Sequence, residues 1–258
     1  SLRTDLWVPV TADIPPVKSD IYTAGIAYGG LKGWEFSAEV YWRRLDNVLE
    51  TKDGKLALST TENWEDNVAT GVGRAYGTEV YVQKTSGKVT GICSYTLSQS
   101  ERRFPDKAIN NGKWYPFAND RRHNIRIAAM CKFNDRIDAA ASWVFMSGNY
   151  MTVPERETVY VDPEGKFHYL HYVSGRNNYR LPPTHHLDLS VNFTKHKKKG
   201  ERVWTVGLYN AYCAMNPDWT YVNDIWSKDE AGKSFYSANI TKLSFLTILP
   251  SVSYAYRF

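Results

Sequence analysis

Leu243-Ser-Phe-Leu-Thr-Ile-Leu-Pro-Ser-Val-Ser-Tyr-Ala-Tyr-Arg-Phe258 carries the strongest indication of the fold. Its side chains alternate with a period of two, which is the period of a β-strand. One face is apolar and the other is mainly small and polar. This pattern predicts a long transmembrane strand, apolar outside and polar inside. The apolar face holds Leu246, Ile248, Pro250, Val252, Tyr254, Tyr256 and Phe258; the other holds Phe245, Thr247, Leu249, Ser251, Ser253, Ala255 and Arg257.

Two features of this segment refine the prediction. Pro250 lacks a backbone N–H, so we expect a bulge or irregular step there. A strand of a soluble sandwich could alternate in the same way. Most strands of globular proteins, however, have only about five or six residues. The length of the segment therefore favours a membrane strand.

A second segment, Trp34–Arg43, gives the clearest internal signal. Trp34, Phe36, Ala38, Val40 and Trp42 share one face, and the opposite face carries charged and polar side chains. At ~3.3 Å per residue and a tilt of ~40°, the two tryptophans lie about 20 Å apart along the membrane normal, close to the ~25 Å band between aromatic girdles. The segment predicts a strand that spans the apolar layer.

The same alternation recurs along the chain, and roughly nine strands are predicted, all antiparallel to their neighbours. The connections are alternately short and long. Outer-membrane barrels have short periplasmic turns and long external loops, whereas a soluble sandwich has no reason to sort its loops by end. The remaining predicted strands are near 21–28, 74–84, 89–97, 125–133, 137–145, 185–193 and 204–212.

Composition limits the other classes of protein. The chain has 258 residues, a net charge of +5, 14% aromatic residues and no basic stripe of the kind that binds nucleic acid. No run of about 18 apolar residues is present, so we expect no transmembrane helix. The three cysteines are widely spaced and form no metal or redox motif. The chain does not begin with Met, so an internal or processed start is expected.

These observations predict an all-β protein, an antiparallel transmembrane β-barrel with roughly nine strands present. Residues 1–19 are expected to be an external loop or lead-in. Barrel strands should occupy 20–258, with long external loops near 50–72, 99–119, 148–183 and 214–242.

At this point the sequence resembles the C-terminal part of the barrel of TonB-dependent outer-membrane receptors. No single motif is specific, but the motifs occur in order and each falls on the expected strand or loop. The matching segments are 5–9, 15–20, 39–42 with 46–48, 76–79 with 83–87, 95–98, 120–123, 147–149, 177–183, 209–212 with 216–217, and 249–258.

The resemblance implies a barrel of about 22 strands whose lumen holds an N-terminal plug domain. It implies active uptake of a scarce solute, such as a siderophore, a corrinoid, a glycan or a peptide, across the outer membrane of a Gram-negative bacterium. The implied partners are the lipid bilayer, the plug and N-terminal strands, and the TonB energy-transducing complex, with a surface lipoprotein as a further candidate. No nucleic acid, cofactor or chemical reaction is implied. An odd number of strands does not close a bacterial barrel, so a fragment, or one half of a split barrel, is expected.

Two groups of side chains are candidates for functional contacts. Aromatic and polar residues of the long loops suit an external solute site, although tyrosine also stabilises loops by packing. Charged residues on the inward face suit a hydrated lumen wall that contacts the plug, or part of a solute path. The loop candidates are Trp114, Tyr115, His168, Tyr169, Tyr172, Trp219, Tyr221 and Trp226. The wall candidates are Glu35, Glu39, Arg43, Glu79, Arg126 and Lys132.

No catalytic or metal site is predicted. His168 and His171 lack an evident third ligand. Glu35 and Glu39 are some 13 Å apart along a strand, beyond the ~5–9.5 Å of a glycosidase pair. His186 and Asp188 share the inward face and could form a hydrogen bond. The alternatives that stay open are a passive porin or adhesin, an outer-membrane barrel enzyme and, least favoured, a soluble all-β binding domain.

Overall fold

The computed structural model describes residues 10–55, 63–228, 234–245 and 247–258, without the side chains of residues 169, 224–227 and 234–238. Strands make up the regular structure of this part of the chain, apart from short 3-10 turns at Trp64–Asn67 and Asn110–Gly112. The strands are β1 (Lys18–Tyr28), β2 (Trp34–Thr51), β3 (Val68–Lys84), β4 (Val89–Arg103), β5 (Tyr115–Pro116), β6 (His123–Lys132), β7 (Ile137–Met146), β8 (Tyr150–Met151), β9 (Arg156–Val161), β10 (Phe167–Tyr172), β11 (Tyr179–Arg180), β12 (Thr184–Lys197), β13 (Gly200–Tyr209), β14 (Trp219–Lys228), β15 (Ser234–Leu243) and β16 (Leu249–Arg257).

Nine long strands form one antiparallel sheet in the order β1-β2-β3-β4-β6-β7-β12-β13-β16, with the short β5 beside β4. Chain neighbours are sheet neighbours throughout, apart from the strands inserted in the loops, of which β14 and β15 have ten residues each. The nine strands that the sequence predicts are therefore confirmed. No helix in the described part of the chain is long and apolar enough to span a membrane.

The strand register separates the side chains into two faces that run unbroken across the sheet. One line of directly opposed residues passes through Ala24, Val40, Thr78, Leu97 and His123. We call this side the apolar face; Val191, Val206 and Val252 continue it at the far end. The other side, the polar face, carries Ser190, Gly207 and Ser251 in the corresponding positions.

Aromatic side chains concentrate toward both ends of the apolar face. At the short-turn end, the rings of Trp34 and Phe36 stack at 5.9 Å and those of Trp204 and Tyr254 lie 4.9 Å apart. Toward the loop end, the rings of Tyr22 and Trp42 lie 5.9 Å apart. Aromatic residues at the two ends of an apolar band are the pattern that membrane interfaces impose on barrel strands.

The strands near the start of the sheet extend further toward the loops than the sequence predicts. β2 has 18 residues and β3 has 17, so the connection predicted near 50–72 shortens to 52–67. β4 likewise continues to Arg103, into the loop predicted near 99–119. Charged pairs such as Arg74 with Glu101 occupy the apolar side of these extensions. Apolar and polar side chains no longer alternate there, because the part of a strand that continues beyond the apolar band needs no apolar face.

The terminal strand corrects two predictions. It begins at Leu249 rather than Leu243, which ends β15, and residue 246 lies outside the described part of the chain. The bulge predicted at Pro250 is wrong, because Pro250 pairs with Leu208 in an uninterrupted register. Within the described residues, β16 pairs only with β13 and is therefore an edge strand. A residue whose backbone nitrogen points away from the sheet makes no hydrogen bond to a neighbouring strand, so an edge strand tolerates a proline there.

Two of the long loops contain strands of their own, which the sequence analysis missed. β9 pairs with β10 and the short β8 with β11, inside the connection between β7 and β12. β14 pairs with β15 before the terminal strand. The motif at 5–9 lies outside the described residues.

Candidate functional site

A small core lies where β2, β3 and the segment after β4 project past the apolar band. Val48, Ala69, Phe104, Ile109 and Tyr115 are all buried and pack together. The rings of Phe104 and Tyr115 stack at 6.3 Å. This core packs at the base of the loops that follow β2 and β4.

Glu50 gathers three groups around this core. Its carboxylate accepts hydrogen bonds from the hydroxyl of Tyr115 at 3.1 Å and from Arg102 at 3.2 Å. Arg176, from the connection between β7 and β12, lies 3.7 Å away. Burial, followed by the negative charge of Glu50, raises the pKa of the Tyr115 hydroxyl, so Tyr115 stays a neutral donor.

Arg176 fastens three loops to one another. Its guanidinium donates to the carbonyl oxygen of Thr51 at 2.8 Å and to the Asp53 carboxylate at 3.0 Å. Its backbone N–H donates to Oδ1 of Asn110 at 2.9 Å, and the N–H of Asn110 donates to Asp53 at 2.7 Å. We call Asp53, Asn110 and Arg176 the loop clamp.

A second contact holds the two ends of the same long loop together and against β4. The buried carboxylate of Asp120 accepts from the N–H of Ser100 at 2.6 Å and from Arg180 at 3.0 Å. Arg180 also lies over the ring of Tyr150 and donates to the carbonyl oxygen of Gly148. Gly148 has no room for a side chain, since a Cβ would lie 1.8 Å from the carbonyl oxygen of Leu181.

The three clamped loops enclose a cavity of about 610 Å³. Its lining combines amide and hydroxyl groups with one exposed aromatic ring, that of Tyr172. Basic side chains outnumber acidic ones, because Asp53 is the lining's carboxylate while Lys52, Lys55 and Arg176 are cations. The lining residues are Thr51–Lys55, Asn110, Asn111, Thr152 and His171–Asn177.

The loop residues singled out in the sequence do not meet in one place. Tyr172 lines the cavity, beside His171. His168 lies near the tip of the β9–β10 hairpin, 2.7 Å from Asp162 and stacked on Tyr160. Trp219 and Tyr221 lie on β14, in a different hairpin. The side chains of Tyr169 and Trp226 lie outside the described part.

The two candidates on the β4–β6 connection have structural contacts. Tyr115 is 2% exposed and belongs to the buried core, so its ring does not reach the cavity. Trp114 is half-buried beneath Arg74, whose guanidinium carbon lies 4.3 Å from the ring centre, with Arg103 at 5.8 Å. These arginines cover the ring by cation–π contact.

The register places all six wall candidates on the polar face. Glu39 pairs directly with Glu79, and Glu35 with Gln83. Arg43 is opposite Ala75, and Arg126 is opposite Ser94. Lys132, at the short-turn end, lies 3.1 Å from Asp135.

Other contacts complete the polar face. His186 and Asp188 share this face, as predicted, and lie at an ion-pair distance of 3.4 Å. A groove of about 620 Å³ crosses the middle of the face, over small residues such as Ala128, Ala140 and Ser142.

The sequence analysis missed the residues that organise the cavity. Asp53, Arg176 and Glu50 carry no local signal, because each acts through a partner in a distant loop. Asn110 and Asn111 have φ of 51° and 52°, and Gly112 has 73°. An Asn-Asn-Gly sequence favours such a turn, since asparagine and glycine tolerate the left-handed region, but it carries no signal for a role in the clamp.

No metal site is evident in the part of the chain that the structure describes, where no three His, Cys, Asp or Glu side chains cluster. His168 and His171 are three residues apart on β10, and side chains at odd spacing on a strand point to opposite faces. They therefore do not converge on one ion.

Comparison with known proteins agrees with this architecture. The family model described as TonB dependent receptor-like, beta-barrel matches residues 4–211. No curated protein matches the sequence significantly.

Three solved structures are similar to the chain. The ferripyoverdine receptor of the outer membrane of Pseudomonas aeruginosa is 14% identical, with a TM-score of 0.54, and the match covers 94% of this chain and 28% of the receptor chain. The ferric-catecholate import receptor Fiu of E. coli K12 is 12% identical, with a TM-score of 0.54, and the match covers 98% of this chain and 30% of Fiu. FpvAI in its complex with pyocin S2 is 14% identical, with a TM-score of 0.53, and the match covers 94% of this chain and 27% of FpvAI.

At these identities the likeness concerns the fold, and the chain spans less than a third of each solved receptor. An antiparallel sheet with an unbroken apolar face, a polar face and long loops at one end is part of an outer-membrane type of β-barrel. Within that class, the chain belongs to the TonB-dependent receptor-like β-barrel family.

Proposed function

We propose that this chain forms wall and external loops of an outer-membrane receptor that takes up a scarce solute, energised from the inner membrane. The observation that carries the proposal is the pairing of a two-faced barrel wall with a polar cavity at its loop end. The apolar face would contact lipid, the polar face would line the lumen, and the cavity would receive solute from outside.

The loop end is assigned to the cell exterior because of the connections. Residues 29–33, 85–88, 133–136 and 198–199 form the short turns, whereas the other end carries the loops that follow β2, β4, β7 and β13. Short periplasmic turns and long external loops are the rule for outer-membrane barrels. The loop cavity would then open toward the medium.

Tyr172 is the loop candidate that this arrangement favours as a solute contact. It is 55% exposed and lines the cavity, whose volume of about 610 Å³ falls in the range of small-molecule sites. His168, Trp114, Trp219 and Tyr221 would contact a solute only at the periphery. The excess of basic groups favours a polar solute with acidic groups. A ferric siderophore, the ligand class of the structural relatives, is the first solute to test.

The polar face supports a partner in the lumen. Glu39 and Glu79 are directly opposed like charges, an arrangement that is unfavourable unless a cation lies close by. A basic side chain of a plug domain would supply that cation, and the plug would connect the receptor to the TonB complex. A surface lipoprotein could cover the loops. We assign no chemical step on the solute.

The test is uptake by cells whose own copy is deleted and replaced by wild type or by Tyr172→Ala. We expect uptake of radiolabelled iron, supplied as ferric siderophores, to need the protein and to stop when a protonophore collapses the proton gradient. Tyr172→Ala should weaken apparent affinity, whereas Tyr160→Ala, on the neighbouring strand away from the cavity, should not. Uptake that survives the protonophore would favour a passive barrel instead.

A further inference from the structure

The short-turn end of the sheet is strongly basic. Each of the four short turns or its immediate flank carries at least one cation, namely Lys32, Lys88, Arg136, Lys197, Lys198 and Lys199. Asp135 is the carboxylate within these turns and pairs with Lys132, whereas Glu35, Asp138 and Glu201 lie two residues further along their strands. This end of the molecule therefore presents a positive rim.

The cations at the two ends of the sheet differ in their partners. At the loop end, Arg74, Arg176 and Arg180 each pair with a carboxylate. At the turn end, Arg136, Lys195 and Arg202 are exposed, and none has a side-chain hydrogen bond or ion pair among the described residues. An external anion could therefore bind them without first breaking an internal contact.

Two of these cations lie at the edge of the apolar face. Lys195 and Arg202 are directly opposed on β12 and β13. Phe193 and Trp204 form the next pair along the same face. Like charges opposed across strands repel, so the pair favours an anion between them. Its position beside aromatic rings is the level at which lipid headgroups meet the apolar band.

A groove joins Arg136 and Lys195 to apolar surface, and Arg202 lies directly opposite Lys195. The groove has a volume of about 430 Å³ and is lined by Arg136, Ile137 and residues 193–196. Ile137 and Phe193 are directly opposed on the apolar face and form the apolar wall. Two hydrogen bonds hold the β6–β7 turn against β12. The N–H of Thr194 donates to the carbonyl oxygen of Arg136 at 2.7 Å. The ring of His196 bonds to the carbonyl oxygen of Asp135 at 3.1 Å.

We propose that this groove binds an anionic phospholipid of the periplasmic leaflet. The phosphate would lie among Arg136, Lys195 and Arg202, and an acyl chain would follow Ile137 and Phe193 into the bilayer. The inference rests on the proposed membrane placement. A soluble anion would use the cations alone, whereas the apolar wall adds affinity for a phosphate that carries a chain.

The experiment uses the complete protein, in nanodiscs or detergent, and native mass spectrometry with added phosphatidylglycerol or zwitterionic phosphatidylcholine. Wild type should retain phosphatidylglycerol preferentially. Arg136→Gln/Lys195→Gln/Arg202→Gln should weaken that binding by about fivefold for each charge removed. The matched control, Lys32→Gln/Lys88→Gln/Lys198→Gln, removes the same charge from outside the groove and should leave binding unchanged at physiological salt.

Three results would overturn the proposal: equal retention of both lipids, equal loss in both triple variants, or full competition by glycerol phosphate, which lacks acyl chains. Insertion into membranes and solute uptake are measured separately. A protein that inserts and transports but shows no lipid preference refutes this inference alone. A protein that does not insert refutes the proposed function and this inference together.

Discussion

Glu39 and Glu79 face each other directly across β2 and β3, both exposed on the polar face. Opposed like charges cost roughly 0.2–1 kcal/mol when nothing neutralises them. A wall that met only water would gain stability by losing one of them. A wall that meets a basic side chain would lose a contact instead.

We expect Glu39→Gln/Glu79→Gln, made in the complete receptor, to loosen whatever covers the polar face. Limited proteolysis should cut the proposed plug faster, and the proposed solute uptake should fall. Ser37→Ala and Tyr81→Phe, a neighbouring opposed pair on the same face, serve as the control. Unchanged uptake together with a more stable double variant would show that the two carboxylates meet no cation.

Arg176→Met should release the long loop between β7 and β12. The change removes the bonds to Thr51 and Asp53 and leaves Glu50 with two of its three partners. Hydrogen bonds to charged groups contribute about 1.5–3 kcal/mol each at most, so we expect a clear loss of local protection. Hydrogen exchange of residues 148–183 and solute affinity report the effect.

Arg156→Gln is the matched control, because Arg156 is an exposed arginine of the same loop outside the clamp. Equal exchange in both variants would show that the clamp does not order the loop.

Gly77→Ala should disturb the pairing of β3 with β4. A Cβ at Gly77 would lie 2.5 Å from the carbonyl oxygen of Leu97 and 2.9 Å from the hydroxyl of Tyr41. Overpacking of this kind costs about 1–3 kcal/mol. Urea titration in detergent measures the change, and Gly29→Ala, with nothing within 4 Å of its Cβ, should be close to neutral. A neutral Gly77→Ala would contradict the close approach of the Leu97 carbonyl oxygen.

The β9–β10 hairpin should lose protection in acid. The Asp162 carboxylate lies 2.7 Å from Nε2 of His168 and accepts from the N–H of Lys166 at 2.8 Å. The contact with His168, followed by the backbone bonds, holds the pKa of Asp162 below its ordinary value of 3.8. A lowered carboxyl pKa stabilises the fold above the ordinary value, and this contribution disappears as pH falls through the folded pKa.

The hydrogen-exchange protection factors of β9 and β10 should therefore be lower at a pH below 3.8 than at neutral pH. Asp162→Asn should lower protection at neutral pH and remove most of the acid dependence. The same acid dependence in wild type and variant would exclude Asp162 as its source.

Most of the fold could be predicted from the sequence because the strands obey one rule over their membrane part. Trp34 to Trp42 alternate strictly, and the register preserves this alternation through all nine strands. The rule fails where the environment changes. Arg44 and Arg74 occupy the apolar side of strands that have already left the band, so the strands continue where the pattern ends.

The site could be predicted only in part, because its contacts are long-range. Tyr172 follows from its residue type and loop position. Arg176 and Thr51 are 125 residues apart in the chain, and no local pattern links them. Tyr115 is a predicted solute contact because it is an aromatic residue in a polar loop. In the structure it belongs to a small buried core instead.

The orientation of the two faces is the central claim, and one pair of neighbouring residues tests it. Val40 is on the apolar face and Ser37 on the polar face of the same strand. Val40→Arg should cost about 2–4 kcal/mol near the bilayer midplane, whereas Ser37→Arg should cost much less. The measurement is the unfolding free energy of the complete protein in lipid vesicles. A large loss for Val40→Arg alone is the predicted result, and equal losses, or a larger loss for Ser37→Arg, would contradict the account.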